Sequence, residues 1–160
     1  MAARAFFGPP SKTAAPGGLQ VSVYLVPVYQ GRLLAFDIHA KAVSGRWLPW
    51  AVIDYRQNPY EAAALLADDW LDVGLDDLRV VDVLSAEGPL QGWELAIVYR
   101  AELAELPKGD DGRAPYLYPA DRYDAIAIFE PTDFERWVSV AQTQHRTPAT
   151  TLPPGDVRVF

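Results

Sequence analysis

The chain has no cysteine among its 160 residues, so no disulfide framework, thiolate metal cluster or thiol nucleophile carries its structure or chemistry. Histidine is nearly as scarce. His39 stands in the body of the chain and His145 near its end, and neither has the partner pattern that an imidazole-based site needs. Positive charge is short too: 14 Lys and Arg against 21 Asp and Glu leave a net charge of −7. That balance gives no footprint for extended nucleic acid or an anionic membrane. No apolar run approaches the length that crosses a bilayer, and Ala5-Phe6-Phe7 stops at Gly8-Pro9-Pro10 before it forms a secretory core. Phosphate loops and dinucleotide fingerprints are missing, and Ser22, Ser44, Ser85 and Ser139 lack the glycine context of a nucleophile elbow. A cytoplasmic protein is the expectation.

What is present is apolar and aromatic. Half of the residues are hydrophobic and 12% are Phe, Trp or Tyr, enough for the core of one domain. Residues 1–18 are rich in Ala, Gly, Pro and Ser without a hydrophobic period and read as a flexible arm; residues 19–142 read as the domain, and residues 143–160 as a mobile, proline-rich tail. Leu19–Tyr29 and Leu33–His39 are strand-like, with Gln30-Gly31-Arg32 between them as a hairpin turn. Pro27 marks an edge or a bulge, since proline donates nothing to a ladder. Arg46–Asp54 is a third extended stretch.

Asn58 as N-cap, Pro59 at the first helical position and Glu61 at capping-box spacing open a helix expected to run to Val73, with Gly74 as its left-handed cap. Leu78–Leu84 and Gly92–Leu103 are strands, the second with Trp93, Leu95, Ile97 and Tyr99 on one face. Residues 104–122 hold a solvent loop at Lys108–Gly112. Tyr123–Phe129 reads as a last strand, and Thr132 with Glu135 opens a helix to about Val140. Trp70, Trp93 and Trp137 read as core. The order of elements describes an α+β fold, a mixed sheet packed between helices in a single domain.

The segment from Gly45 to Leu75 resembles the Nudix superfamily. Gly45-Arg46-Trp47-Leu48-Pro49 matches the approach to that family's loop, and Asn58-Pro59-Tyr60-Glu61-Ala62-Ala63 matches its helix entry. Beyond this the family has Arg-Glu, an apolar residue, any residue, Glu-Glu, any residue, then glycine and an apolar residue. Aligned from the helix entry, Leu65, Leu66, Asp69 and Trp70 take the places of the arginine and the three glutamates. Aligned on Gly74-Leu75, Ala67 replaces the arginine, Leu71 one glutamate, and Asp68 and Asp72 the other two. The second alignment is preferred, because residues four apart share one face of a helix. Neither restores the glycine pair, which is Trp50-Ala51 here.

The resemblance implies hydrolysis of nucleoside diphosphate derivatives with magnesium, an ion that takes hard oxygen ligands. Asp68 and Asp72 are then the candidate catalytic and metal-binding residues, with Glu94 or Asp121 as base. Trp50, Arg46 and Glu61 are candidates for contact with the ligand. Four of them have a plainer reading: Asp68 and Asp72 as the solvated side of a helix, Glu61 as a capping partner, Trp50 as a packed indole. The favoured expectation is an eroded Nudix-like domain that binds a nucleotide-like or other phosphorylated small molecule with little or no hydrolysis. The alternatives are a magnesium-dependent hydrolase using Asp68 and Asp72, and a module for protein interaction or self-association, as a homodimer.

Overall fold

The computed structural model describes residues 18–39, 44–87 and 92–139. Residues 1–17 of the expected N-terminal arm and the expected tail, residues 143–160, lie outside the described residues. Nine elements follow in order: β1 (Leu19–Tyr29), β2 (Arg32–His39), β3 (Ser44–Trp47), β4 (Trp50–Val52), α1 (Pro59–Trp70), β5 (Leu75–Glu87), β6 (Trp93–Leu103), β7 (Arg113–Leu117) and α2 (Pro131–Val138). The strands form one mixed sheet in the order β3-β2-β1-β6-β5, with β4 added to β1 and β7 to β2.

Alternation along the central strands sorts two cores onto the two faces of this sheet. Val23 and Leu25 of β1, Leu34 and Phe36 of β2, and Tyr99, Ala101 and Leu103 of β6 meet Ala62, Ala63, Leu66 and Ala67 of α1. The intervening Tyr24, Val26, Val28, Leu33, Ala35, Ala96 and Val98 meet Phe134, Trp137 and Val138 of α2 on the other side. The small side chains of α1 allow close approach to the sheet, while α2 reaches it through large rings: Phe134 and Trp137 pack edge to face at 5.7 Å. The expected mixed sheet between helices is therefore what the chain forms.

The β1–β2 hairpin turns through Gln30 (φ 48°) and Gly31 (φ 74°), the left-handed pair that matches strand twist. β1 is central, not an edge. It runs parallel to β6 along almost its whole length, Pro27 standing opposite Ala101. The Leu25 N–H donates to the Pro49 carbonyl on the β4 side, and by alternation the Pro27 nitrogen points to that same side. There β4 pairs only through Tyr24 and β2 only from Val28, so the missing N–H falls in a gap between partners.

Several expectations need correction. The extended stretch 46–54 is two strands, β3 on β2 and β4 on β1. Helix α1 ends at Trp70, with Leu71 as its C-cap. The left-handed residue behind it is Asp72 (φ 49°), not Gly74. Leu71 is fully buried, so the helix stops once that side chain is seated. Gly74 instead packs against Ala104, leading the chain into β5. Residues 123–129 are a loop, pinched by a bridge between Ile126 and Phe129 around Ala127 (φ 56°). The strand on β2 is β7, inside the stretch read as loop. Helix α2 begins two residues early, its Glu130 N–H donating to the Asp133 carboxylate at 2.9 Å.

Candidate functional site

Among the described residues, two cavities matter for a site. The first, about 430 Å³, lies at the C-terminal end of α1 and is lined by Asp69, Trp70, Asp72, Glu105, Lys108 and Arg113 among others. Its wall is built from the helix end and the 104–112 loop. Arg113 enters from β7: its Nη1 lies 3.3 Å from Asp69 Oδ2, and its guanidinium carbon sits 4.3 Å from the centre of the Trp70 ring. Trp70 in turn packs edge to face on Phe36 at 5.4 Å. Gly109 (φ 74°) makes the turn behind it, where a Cβ would collide with the Arg113 carbonyl and the Pro115 ring.

Asp72 lines this cavity; Asp68 is exposed and is not among its lining residues. Because Asp72 has left the helix, the two aspartates do not share a helical face, which was the geometric premise for pairing them. Leu66 is 5% exposed and part of the core under α1. Glu61 is exposed in the first turn. The cap of α1 is made by Asn58 Oδ1, which accepts from the Tyr60 N–H at 2.9 Å, one residue before the expected partner.

The second cavity, about 500 Å³, opens on the α2 side and is lined by Tyr116, Tyr118, Asp121, Arg122, Tyr123 and Glu135, with Asp124 at its edge. Arg46 borders it. Its guanidinium is gripped by Asp37, Nε to Oδ1 at 2.9 Å and Nη2 to Oδ2 at 3.3 Å, lies 3.5 Å above the Tyr116 ring and donates to the Tyr118 hydroxyl at 3.4 Å. The hydrogen bonds that Arg46 donates to Asp37 hold it firmly protonated against the cost of its burial. Burial raises Tyr118 and Tyr123 above the usual phenol range, and Asp121 adds to the rise at Tyr123. These rings stay neutral hydrogen-bonding groups at any physiological pH. Sequence reasoning picked out Arg46 and Asp121 but missed the tyrosines; Tyr116, on β7 where it pairs with β2, and Tyr118, just past its end, were hidden in the stretch taken for loop.

Trp50 stands opposite Tyr24 in the β4–β1 register, partly exposed. Glu94, a candidate base, lies in β6, 1% exposed, and accepts from the Tyr24 hydroxyl at 2.9 Å. Burial and the Glu94 carboxylate together push the Tyr24 phenol far up. Trp137 is core as expected, whereas Trp93 is 40% exposed and donates to Ser85 Oγ at 2.6 Å. His39 is exposed at the end of β2.

No protein-family model matches the chain, and no curated protein matches its sequence. Solved structures do match its shape. A MutT protein from Methanosarcina mazei Go1 superposes with a TM-score of 0.61 over 74% of this chain and 92% of that one, at 13% identity. A MutT NUDIX hydrolase from Burkholderia pseudomallei gives 0.60 over 74% of this chain and 97% of its own, at 17% identity. The chain has the Nudix fold. A NUDIX hydrolase from Nitrosomonas europaea, at 0.54 and 16% identity, covers the same 74% of this chain with 69% of its own. Identities this low carry the fold and no activity.

The Nudix fold raises the matter of magnesium, and the residues present do not fit it. Among the described residues no three His, Asp or Glu side chains converge as a metal site. The helical carboxylate nearest the cavity, Asp69, faces the Arg113 guanidinium. A cation already stands where an ion would need the oxygen. Among the described residues, no helix is long and apolar enough to cross a membrane.

Proposed function

We propose that this Nudix-fold domain binds a nucleotide-like or other phosphorylated small molecule and hydrolyses it little or not at all. The observation that carries the proposal is the contrast between the two cavities. At the helix end, Ala67 is buried and Asp72 takes the left-handed turn. This geometry supports the alignment from the helix entry, in which Ala67 holds the motif's apolar place and Asp72 its glycine. Leu65, Leu66 and Trp70 then replace the arginine and two glutamates, and the remaining acid, Asp69, is engaged by Arg113.

At the tyrosine cavity the chemistry suits a ligand. A volume near 500 Å³ lies within the range of small-molecule sites. Tyr123, partly exposed, offers a ring face to a planar base, and Tyr116 and Tyr118 back the Arg46 guanidinium beside it. Asp121 and Glu135 accept from hydroxyls or ring N–H groups, and Arg122 and Arg46 supply guanidinium donors for a phosphate.

The magnesium-dependent hydrolase reading rests on Asp72 lining the helix-end cavity. The departure of Asp72 from the helix and the absence of Asp68 from that lining weigh against it. Calorimetric titration with ADP and UDP tests the proposal. Micromolar to millimolar binding is expected, weakened about tenfold by Arg122→Ala through loss of one charge-assisted contact. No heat for either nucleotide at millimolar concentration, or binding that Arg122→Ala leaves intact, overturns the tyrosine cavity as the site.

A further inference from the structure

The α1 face of the sheet is covered over only half its length. Helix α1 packs on Val23, Leu25, Tyr99, Ala101 and Leu103. Alternation carries the same face back along β1 to Val21 and Leu19 and along β6 to Ile97, Leu95 and Trp93. Val80 and Val83 of β5 stand directly opposite Tyr99 and Ile97 and so join it. Leu19, Val80, Val83 and Trp93 are all substantially exposed, Val83 at 53%. Tyr60, exposed at the start of α1, leans on Tyr99 at 6.2 Å and closes the lower border. A contiguous patch of this kind on a sheet face marks an interaction surface.

Three observations name its occupant. The chain enters the domain at Gly18-Leu19, on the border of the patch, so the preceding residues are tethered beside it. Phe7 lies twelve residues before Leu19, a reach of up to about 40 Å, and Val83 is two strands away, within roughly 20 Å. The tether holds the two at an effective concentration of order millimolar. Charge is complementary as well: residues 1–17 contain Arg4 and Lys12 and no acid, while Glu87, opposite Trp93, and Glu61, beside Tyr60, stand exposed next to the patch. Finally, Phe6 and Phe7 are the large apolar pair of that segment, the residue type that anchors such contacts.

We propose that the uncovered half of the α1 face is the docking site of the chain's own N-terminal segment, residues 1–17, anchored by Phe6 and Phe7 over Val83 and Trp93. A second copy is less suited, because two faces each bordered by Glu61 and Glu87 would bring like charges together. The proposal is independent of the ligand and of the tyrosine cavity, which opens on the α2 side.

The absence of cysteine makes a clean test. The double variant Ala5→Cys/Ser85→Cys, which keeps Phe6, Phe7, Val83 and Trp93, is oxidised at micromolar concentration and resolved on a non-reducing gel, beside Ala5→Cys/Thr132→Cys, whose second thiol sits on α2 across the sheet. The expected result is an intrachain disulfide formed at least tenfold faster in the first pair. Equal rates in the two pairs overturn the proposal. So does a covalent dimer, whether from Ser85→Cys alone, which would identify a second copy as the occupant, or from the double variant, which would place the segment on a neighbouring chain.

Discussion

Arg113 straps the end of helix α1: its Nη1 lies 3.3 Å from the Asp69 carboxylate and donates to the Asp69 backbone carbonyl at 3.2 Å. The same guanidinium covers Trp70. Asp69 is mostly exposed, so the ion pair contributes well under about 1 kcal/mol, and the stacking on Trp70 adds a similar amount. Arg113→Ala is expected to cost about 1 kcal/mol in urea denaturation. A loss above about 3 kcal/mol, or none, would show that the strap has been misread.

Leu66 tests whether the helix can take back the glutamate of the family motif. Leu66→Glu puts a carboxylate into the core beneath α1, where no partner waits. It should lower stability by at least about 2 kcal/mol and confer no magnesium-dependent activity. A variant as stable as the parent would mean that this side of α1 opens to solvent.

Asp37 fixes Arg46 over Tyr116. Asp37→Asn keeps the shape and removes the charge. With both groups about a third exposed, the stability lost should be about 1 kcal/mol after solvent screening. Nucleotide affinity should also fall severalfold, because the guanidinium is no longer held at the cavity. Unchanged affinity by fluorescence titration would remove Arg46 from the site.

The phenol of Tyr24 is raised in the folded state by burial and by Glu94. The folded protein therefore keeps this proton at pH values where the unfolded chain gives it up. The resulting stability is complete below the ordinary value near 10 and is lost as pH rises toward the folded value. Denaturation midpoints should drop above about pH 10, and Tyr24→Phe should flatten the drop, leaving the smaller shares of Tyr99, Tyr118 and Tyr123. A slope identical in the variant would contradict the assignment.

How far the sequence could be read depended on whether a signal was local. Gln30-Gly31 and Asn58-Pro59 announce a turn and a helix start by their own backbone preferences, and both fall where expected. The end of α1 is not local. Burial of Leu71 ends the helix, and the left-handed turn lands on Asp72 although a glycine stands two residues on. β7 was hidden because Pro115 and a preceding Gly-Asp loop look like turn chemistry, yet pairing to β2 holds it. The tyrosine cavity was invisible for the same reason, since its walls come from β7, the 118–124 loop and α2. Trp93 misled because alternation tells which face a residue takes and not whether a helix covers that face.

The most direct test of the central claim, binding without turnover, is a magnesium-dependent assay of product release from nucleoside diphosphate sugars, dinucleotides and triphosphates under conditions where calorimetry shows the nucleotide bound. The account predicts release no faster than in protein-free controls, and no change with Asp72→Ala. Catalytic turnover that needs magnesium and vanishes in Asp72→Ala would contradict it.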